Sequence, residues 1–209
     1  MAYLMTHSLL ASWLYLMKDN AFEDATTVKE PFEDFLRTLR REPSQPTAAM
    51  QNGIDFEDMV NAIVTSSPTK PLGYDAKWEE AAQQVARILD GAQLQYRAKK
   101  LIRCHDMDFL LYGRLDALKA GVIYDIKFSK AYDKGKFLNS TQHPVYFELI
   151  PEAEEFTYLI SNGQYVWTET YHREETRERF PINACISDFI DWLKAVDMLE
   201  IYKEYWKSL

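Results

Sequence analysis

The succession of patterns along these 209 residues predicts an α+β fold. Helical periodicity fills the first 89 residues. Three consecutive strand-like runs follow between 94 and 129, and a helix, a hairpin and a helix close the chain. Residues 8–18 carry Leu9, Trp13 and Leu16 on one stripe, with Ser8 as the expected N-cap. Residues 31–41 form the next helix, with Pro31 in its first turn, where a missing N–H costs little. After a polar break at 43–47, residues 53–64 direct Phe56, Val60 and Ile63 towards a core, and the prolines of 66–71 end that helix. Another helix covers 78–89 and stops at Asp90-Gly91. Strands are expected at 94–103, 109–118 and 122–129. A polar loop rich in Lys and Gly then reaches Ser140, and a short helix spans 144–149. Residues 156–161 and 164–170 form a hairpin that turns at Asn162-Gly163, a pair suited to a type I′ turn. One amphipathic helix occupies 184–206.

The length fits a single domain, 1–209, with a helical portion at 1–52, a central unit at 53–170 and a C-terminal helix within 171–209. A hydrophobic fraction of 47% provides for a core, and no apolar run approaches the ~18 residues that would span a bilayer. The apolar stretch 9–17 is followed by Lys18-Asp19 and not by a small-residue cleavage site, which is not a signal-peptide pattern, so a cytoplasmic location is expected. Cys104 and Cys185 are too far apart for a CxxC metal site and imply no disulfide framework.

The net charge of −8 argues against a nucleic-acid partner until its distribution is considered. Residues 94–136 hold ten Lys/Arg against five Asp/Glu, a local net of +5, so the rest of the chain carries −13. A basic segment on an acidic body suits one site facing a polyanion.

The chemistry concentrates in Gly113-Arg114-Leu115-Asp116 and Asp125-Ile126-Lys127. A two-residue turn at Ala120-Gly121 sets Asp116 opposite Asp125, and the period of two puts Lys127 on the same face as Asp125. Taken singly, each is an ordinary strand-end residue. Two carboxylates facing each other across strands repel, and a divalent cation between them offsets that cost.

These residues resemble the motifs of the PD-(D/E)xK nuclease superfamily, and within it the RecB-type exonucleases and their phage and mobile-element relatives. Gly113-Arg114-Leu115-Asp116 matches the Gly-x-x-Asp of the second core strand, and Asp125-Ile126-Lys127 matches the (D/E)-x-K of the third. Gln142 and Tyr146 match a Gln-x-x-x-Tyr helix start, and Glu57 is the best match for the helical Glu, with Asp55 and Asp58 as alternatives. The likeness covers about 53–167 and lacks the family's usual Pro before the Asp.

The resemblance implies a restriction-endonuclease-like core, a central mixed sheet flanked by helices. It implies a Mg²⁺- or Mn²⁺-dependent deoxyribonuclease, an exonuclease in DNA recombination or repair, with a non-catalytic nucleic-acid-binding or assembly module as the rival. One or two ions would be held by Glu57, Asp116, Asp125 and the Ile126 carbonyl, with Lys127 beside them. Gln142, Tyr146, Lys130 and Arg114 would contact substrate. Two cysteines do not make the four-cysteine iron–sulfur site of some relatives. DNA is the expected partner and a membrane is not. A homo-oligomer, built through the Phe189, Leu193, Val196 and Ile201 stripe, and a recombination protein are the further partners it allows.

Overall fold

The computed structural model describes residues 1–18 and 25–208, the side chains of 25–30 excepted. The chain is α+β, with a mixed six-stranded sheet flanked by helices. In order it forms β1 (Ala2–Met5), α1 (His7–Leu16), α2 (Ala25–Leu39), α3 (Ala48–Val64) and, after a 3₁₀ turn, α4 (Glu79–Ile88). The long antiparallel pair β2 (Gln93–Cys104) and β3 (Met107–Lys119) follows, then β4 (Val122–Phe128) and α5 (Gln142–Leu149). The hairpin β5 (Glu155–Ser161) and β6 (Val166–His172) leads into α6 (Arg173–Arg179), α7 (Ile182–Ala195) and α8 (Leu199–Tyr205).

The sheet runs β1-β3-β4-β5-β6, with β2 also paired to β3. β2 lies along nearly the whole of β3, so β1 and β4 must share the opposite edge. β1 pairs with residues 108–111 in parallel, and β4 pairs only with residues 117–119. Among the described residues, the edge of β3 between these two partners therefore has no strand beside it, and the sheet is split there.

Two apolar clusters cover the two faces. One packs Phe109, Leu111, Leu115, Ile123, Phe156 and Tyr158 against α1, α2, α5, α7 and α8. The other packs Ala117, Ile126 and Leu159 against Phe56, Val60 and Val85 of α3 and α4. The alternation along β3 slips at Asp116, because Leu115 belongs to the first cluster and Ala117 to the second. Gln95, opposite that point in the β2 register, has a positive φ of 52° and is skipped by the ladder.

The expected turn at Ala120-Gly121 is present. Both residues have positive φ, 49° and 78°, and Lys119 pairs with Val122 as the two-residue turn requires. Several expectations need correction. β1 has no counterpart in the sequence reading, since four residues without turn signals carry no periodicity. Thr6, not Ser8, caps α1, its side chain accepting from the Leu9 N–H. Helix α2 begins at Ala25, so Pro31 lies inside it and one backbone hydrogen bond is lost. The β5–β6 loop is four residues long, not two. Only Gly163 has positive φ, and the Asn162 side chain accepts from the N–H groups of Gln164 and Tyr165. The single helix expected at 184–206 is instead two, α7 and α8, broken near Asp197, whose φ is +57°, and α6 before them has no counterpart in the sequence reading. Cys104 and Cys185 are free thiols. No helix among the described residues is long and apolar enough to cross a membrane.

Candidate active site

The split in the sheet gathers most of the candidate residues. β3 and β4 are paired up to Ala117 and Tyr124 and then diverge. The Asp116 carboxylate takes over where the ladder stops, its Oδ2 accepting from the Ile126 N–H at 2.8 Å. On β4, Asp125 and Lys127 alternate with Tyr124, Ile126 and Phe128, which pack into the α3–α4 cluster. Asp125 is only 2% exposed. Its Oδ1 accepts a short hydrogen bond from the Gln142 amide of α5. Its Oδ2 lies 2.6 Å from Lys127 Nζ, a close ion contact.

The local sequence explains this placement. A Cβ on Gly113 would lie 2.5 Å from the Tyr146 ring, so the glycine is what lets α5 press onto the sheet. The Tyr146 hydroxyl then donates to the Arg114 carbonyl at 2.9 Å, satisfying a strand-edge acceptor left bare by the split. The same contact brings Gln142, one turn earlier on α5, onto Asp125.

Burial raises the pKa of Asp116 well above the usual carboxylate range, and the charges of Asp125 and Glu57 push the same way. Asp125 is raised by burial, opposed by Lys127 and Gln142. Glu57 on α3 is also raised, first by burial, while a 2.7 Å hydrogen bond from Gln95 Nε2 and the Arg114 guanidinium oppose the shift. For Lys127, burial works against the charged form. Asp125, Asp116 and Glu57 outweigh it, so the ammonium is held above its ordinary value. Glu57 is therefore the α3 acid facing the cluster. Asp55 is instead engaged by Gln51, and Asp58 is exposed.

Comparison with known proteins yields little. No family model matches the chain, and no curated protein matches it. A solved structure described as "Crystal structure of SSO0001" is similar at 16% identity, covering 72% of this chain and 82% of that one, with a TM-score of 0.38.

The donor chemistry at the split fits a divalent cation: hard carboxylate oxygens, mutually repelling and partly dehydrated. The side-chain positions do not close around one point, and among the described residues no group of three or more His, Cys, Asp or Glu is arranged to hold a metal. The reason is visible in the hydrogen bonds. Asp125 is occupied by Gln142 and Lys127, Asp116 by the Ile126 N–H, and Glu57 by Gln95. An ion would have to displace one or more of these partners.

Of the expected substrate contacts, Gln142 and Tyr146 are buried and committed to Asp125 and the Arg114 carbonyl. Arg114 and Lys130 are exposed, Arg114 beside Glu57. Two residues at the site escape sequence reasoning. Gln95 is found only through its backbone irregularity opposite Asp116. His7 follows β1 into the split, its ring edge-on to Tyr146 at 5.5 Å. Burial and then the Lys127 charge lower its pKa to about 4, so it is neutral near pH 7. No spacing links it to the other motifs.

Proposed function

We propose that this chain is a divalent-metal-dependent nuclease that hydrolyses DNA phosphodiesters, acting as an exonuclease on a restriction-endonuclease-like core. The observation that carries the reading is the buried Asp125, adjoining Asp116 and in contact with Lys127, at the point where two strands part. Burying like charges side by side is expensive, and a protein that keeps them gains a site for a cation.

Glu57, Asp116, Asp125 and the Ile126 carbonyl would hold Mg²⁺ or Mn²⁺, one ion or two. The bound metal supplies an activated water and charge neutralisation at the scissile phosphate. The protein's own groups set the geometry. Lys127, kept cationic by its acidic neighbours, orients the attacking water or stabilises charge developing on the phosphate oxygens. Gln142 fixes the rotamer of Asp125 and Gln95 that of Glu57, so both act as positioning residues. Arg114 and Lys130 hold the flanking phosphates. A role in DNA end processing, with a recombination protein as partner, is part of the same proposal.

A second reading, a nucleic-acid-binding module without catalysis, is favoured by the absence of a closed ligand set among the described residues. End-labelled linear DNA and closed-circular DNA, incubated in Mg²⁺ or Mn²⁺ with and without EDTA, separate the two. EDTA-sensitive loss of the linear form alone supports the exonuclease. Cutting of neither form supports the binding module.

A further inference from the structure

Beyond the acids, the outer face of the β2–β3 ribbon has a composition unlike the rest of this acidic chain. The inner face packs Ala98, Phe109, Leu111 and Leu115 into the larger core. The outer face has cross-strand rungs Arg97–Arg114, Lys99–Tyr112, Leu101–Leu110 and Arg103–Asp108. At the far end Arg103 is neutralised by Asp106 and Asp108. Near the site the picture reverses. Arg97, Lys99 and Arg114 are exposed, and among the described residues none of them forms an ion pair. Arg97 and Arg114 stand directly opposite each other, an arrangement that destabilises a sheet. Inward of that rung the ladder skips Gln95 and Asp116, and Gln95 there holds Glu57. The row of unpaired cations thus leads into the acid cluster.

We infer that this face, through Arg97, Lys99 and Tyr112, is the track along which a single strand of DNA reaches the acids. The inference rests on the nuclease reading and names its substrate class. Charge complementarity selects a polyanion, and the rest of the face selects single strands over duplex. Tyr112 is half-buried between Lys99 and the exposed Leu101, which is 63% accessible. An aromatic and an apolar surface set among cations suit unstacked bases, whereas a duplex would present only phosphates to a flat sheet. The three rungs nearest the site span roughly 13 Å at ~3.3 Å per residue, room for a short extended stretch of strand.

The test is binding of a fluorescein-labelled oligothymidylate, followed by anisotropy in EDTA across a salt series so that cleavage plays no part. Arg97→Ala with Lys99→Ala should weaken binding and reduce the slope of log K against log salt by about 1.4, at ~0.7 per single-strand phosphate contact. Tyr112→Ala should weaken binding on the order of tenfold, and Tyr112→Phe should retain it. Arg97→Lys with Lys99→Arg should keep the slope, and Lys203→Ala on α8, where Lys203 pairs with Glu200, should change nothing. Circular dichroism checks that each variant is folded. Unchanged affinity and slope in the folded alanine variants, or tighter binding of duplex than of single strand, would overturn the track. If the wild type nevertheless cuts DNA in Mg²⁺, the nuclease reading survives that failure. Salt-sensitive binding lost in the variants of a protein that never cuts supports the track and removes the nuclease.

Discussion

Asp125 and Lys127 act as a pair, and separating them has different consequences for fold and chemistry. Lys127→Ala leaves a buried carboxylate that still has Gln142 as donor and can take up a proton, so the fold should survive. Metal-dependent cleavage should fall to background in Lys127→Ala and in Asp125→Ala while the far-ultraviolet circular dichroism stays native. Cutting at the wild-type rate in either variant would place the chemistry elsewhere. Asp116 gives the opposite sign for stability. Its folded pKa is raised, so the native state binds the proton more tightly than the unfolded chain. The penalty on folding grows as pH rises above the ordinary value of 3.8 and is complete above the raised one. Asp116→Asn keeps an acceptor for the Ile126 N–H and removes that penalty. At pH 7 in EDTA the variant should melt higher than wild type, by about 2–4 °C for each kcal/mol relieved. The difference should close as pH approaches 3.8, and a lower melting point at pH 7 would contradict the electrostatics.

At the scale of elements, the site depends on how α5 and the 129–141 loop are seated. Gly113→Ala drives a methyl into the Tyr146 ring, so α5 must shift. A loss of about 1–3 kcal/mol in chemical denaturation is expected, with cleavage reduced because Gln142 moves off Asp125. The loop is fastened by Glu169 on β6. Its carboxylate accepts from the Tyr132 hydroxyl at 2.6 Å, the Gly135 N–H at 3.1 Å, the Phe137 N–H at 3.3 Å and, by a very short bond, the Tyr171 hydroxyl. Burial alone would push Glu169 up, but these donors hold it below the usual glutamate value. Its contribution is therefore present above pH 4.5 and lost as pH falls through the depressed value. Glu169→Ala should loosen the loop and speed tryptic cleavage at the surface residues Lys130 and Lys134, while the sheet stays protected from hydrogen exchange. Unchanged cleavage of the loop would deny the fastening role.

These elements also show what a sequence can and cannot disclose. The β3–β4 turn was legible because Ala120-Gly121 allows two positive φ angles, but the ladder it starts ends at Ala117–Tyr124, so the expected cross-strand pair Asp116–Asp125 is not formed and Asp116 accepts from the Ile126 N–H instead. The six strands and the helices that cover them were legible in kind, β1 and α6 excepted. The β5–β6 turn was misread because the Asn162 side chain makes the turn hydrogen bonds that a type I′ backbone would otherwise supply. His7 and Gln95 were invisible for a different reason. They reach the site through a parallel pairing across more than a hundred residues and through one irregular φ, and neither leaves a local pattern.

For the whole molecule, apolar clusters pack against the sheet, and at the split in β3 polar groups replace strand pairing. On the proposed reading, stability and function are set against each other there. A bound cation should therefore raise the melting temperature of the wild type over its value in EDTA, and this gain should vanish in Asp125→Ala. The most direct measurement is anomalous diffraction from crystals soaked in Mn²⁺. The account predicts a single dominant peak, or a close pair, at about 2.0–2.2 Å from the carboxylate oxygens of Asp116 and Asp125, with Lys127 drawn off Asp125 Oδ2. A soaked crystal with Lys127 still on Asp125 and no peak between the two aspartates would contradict it.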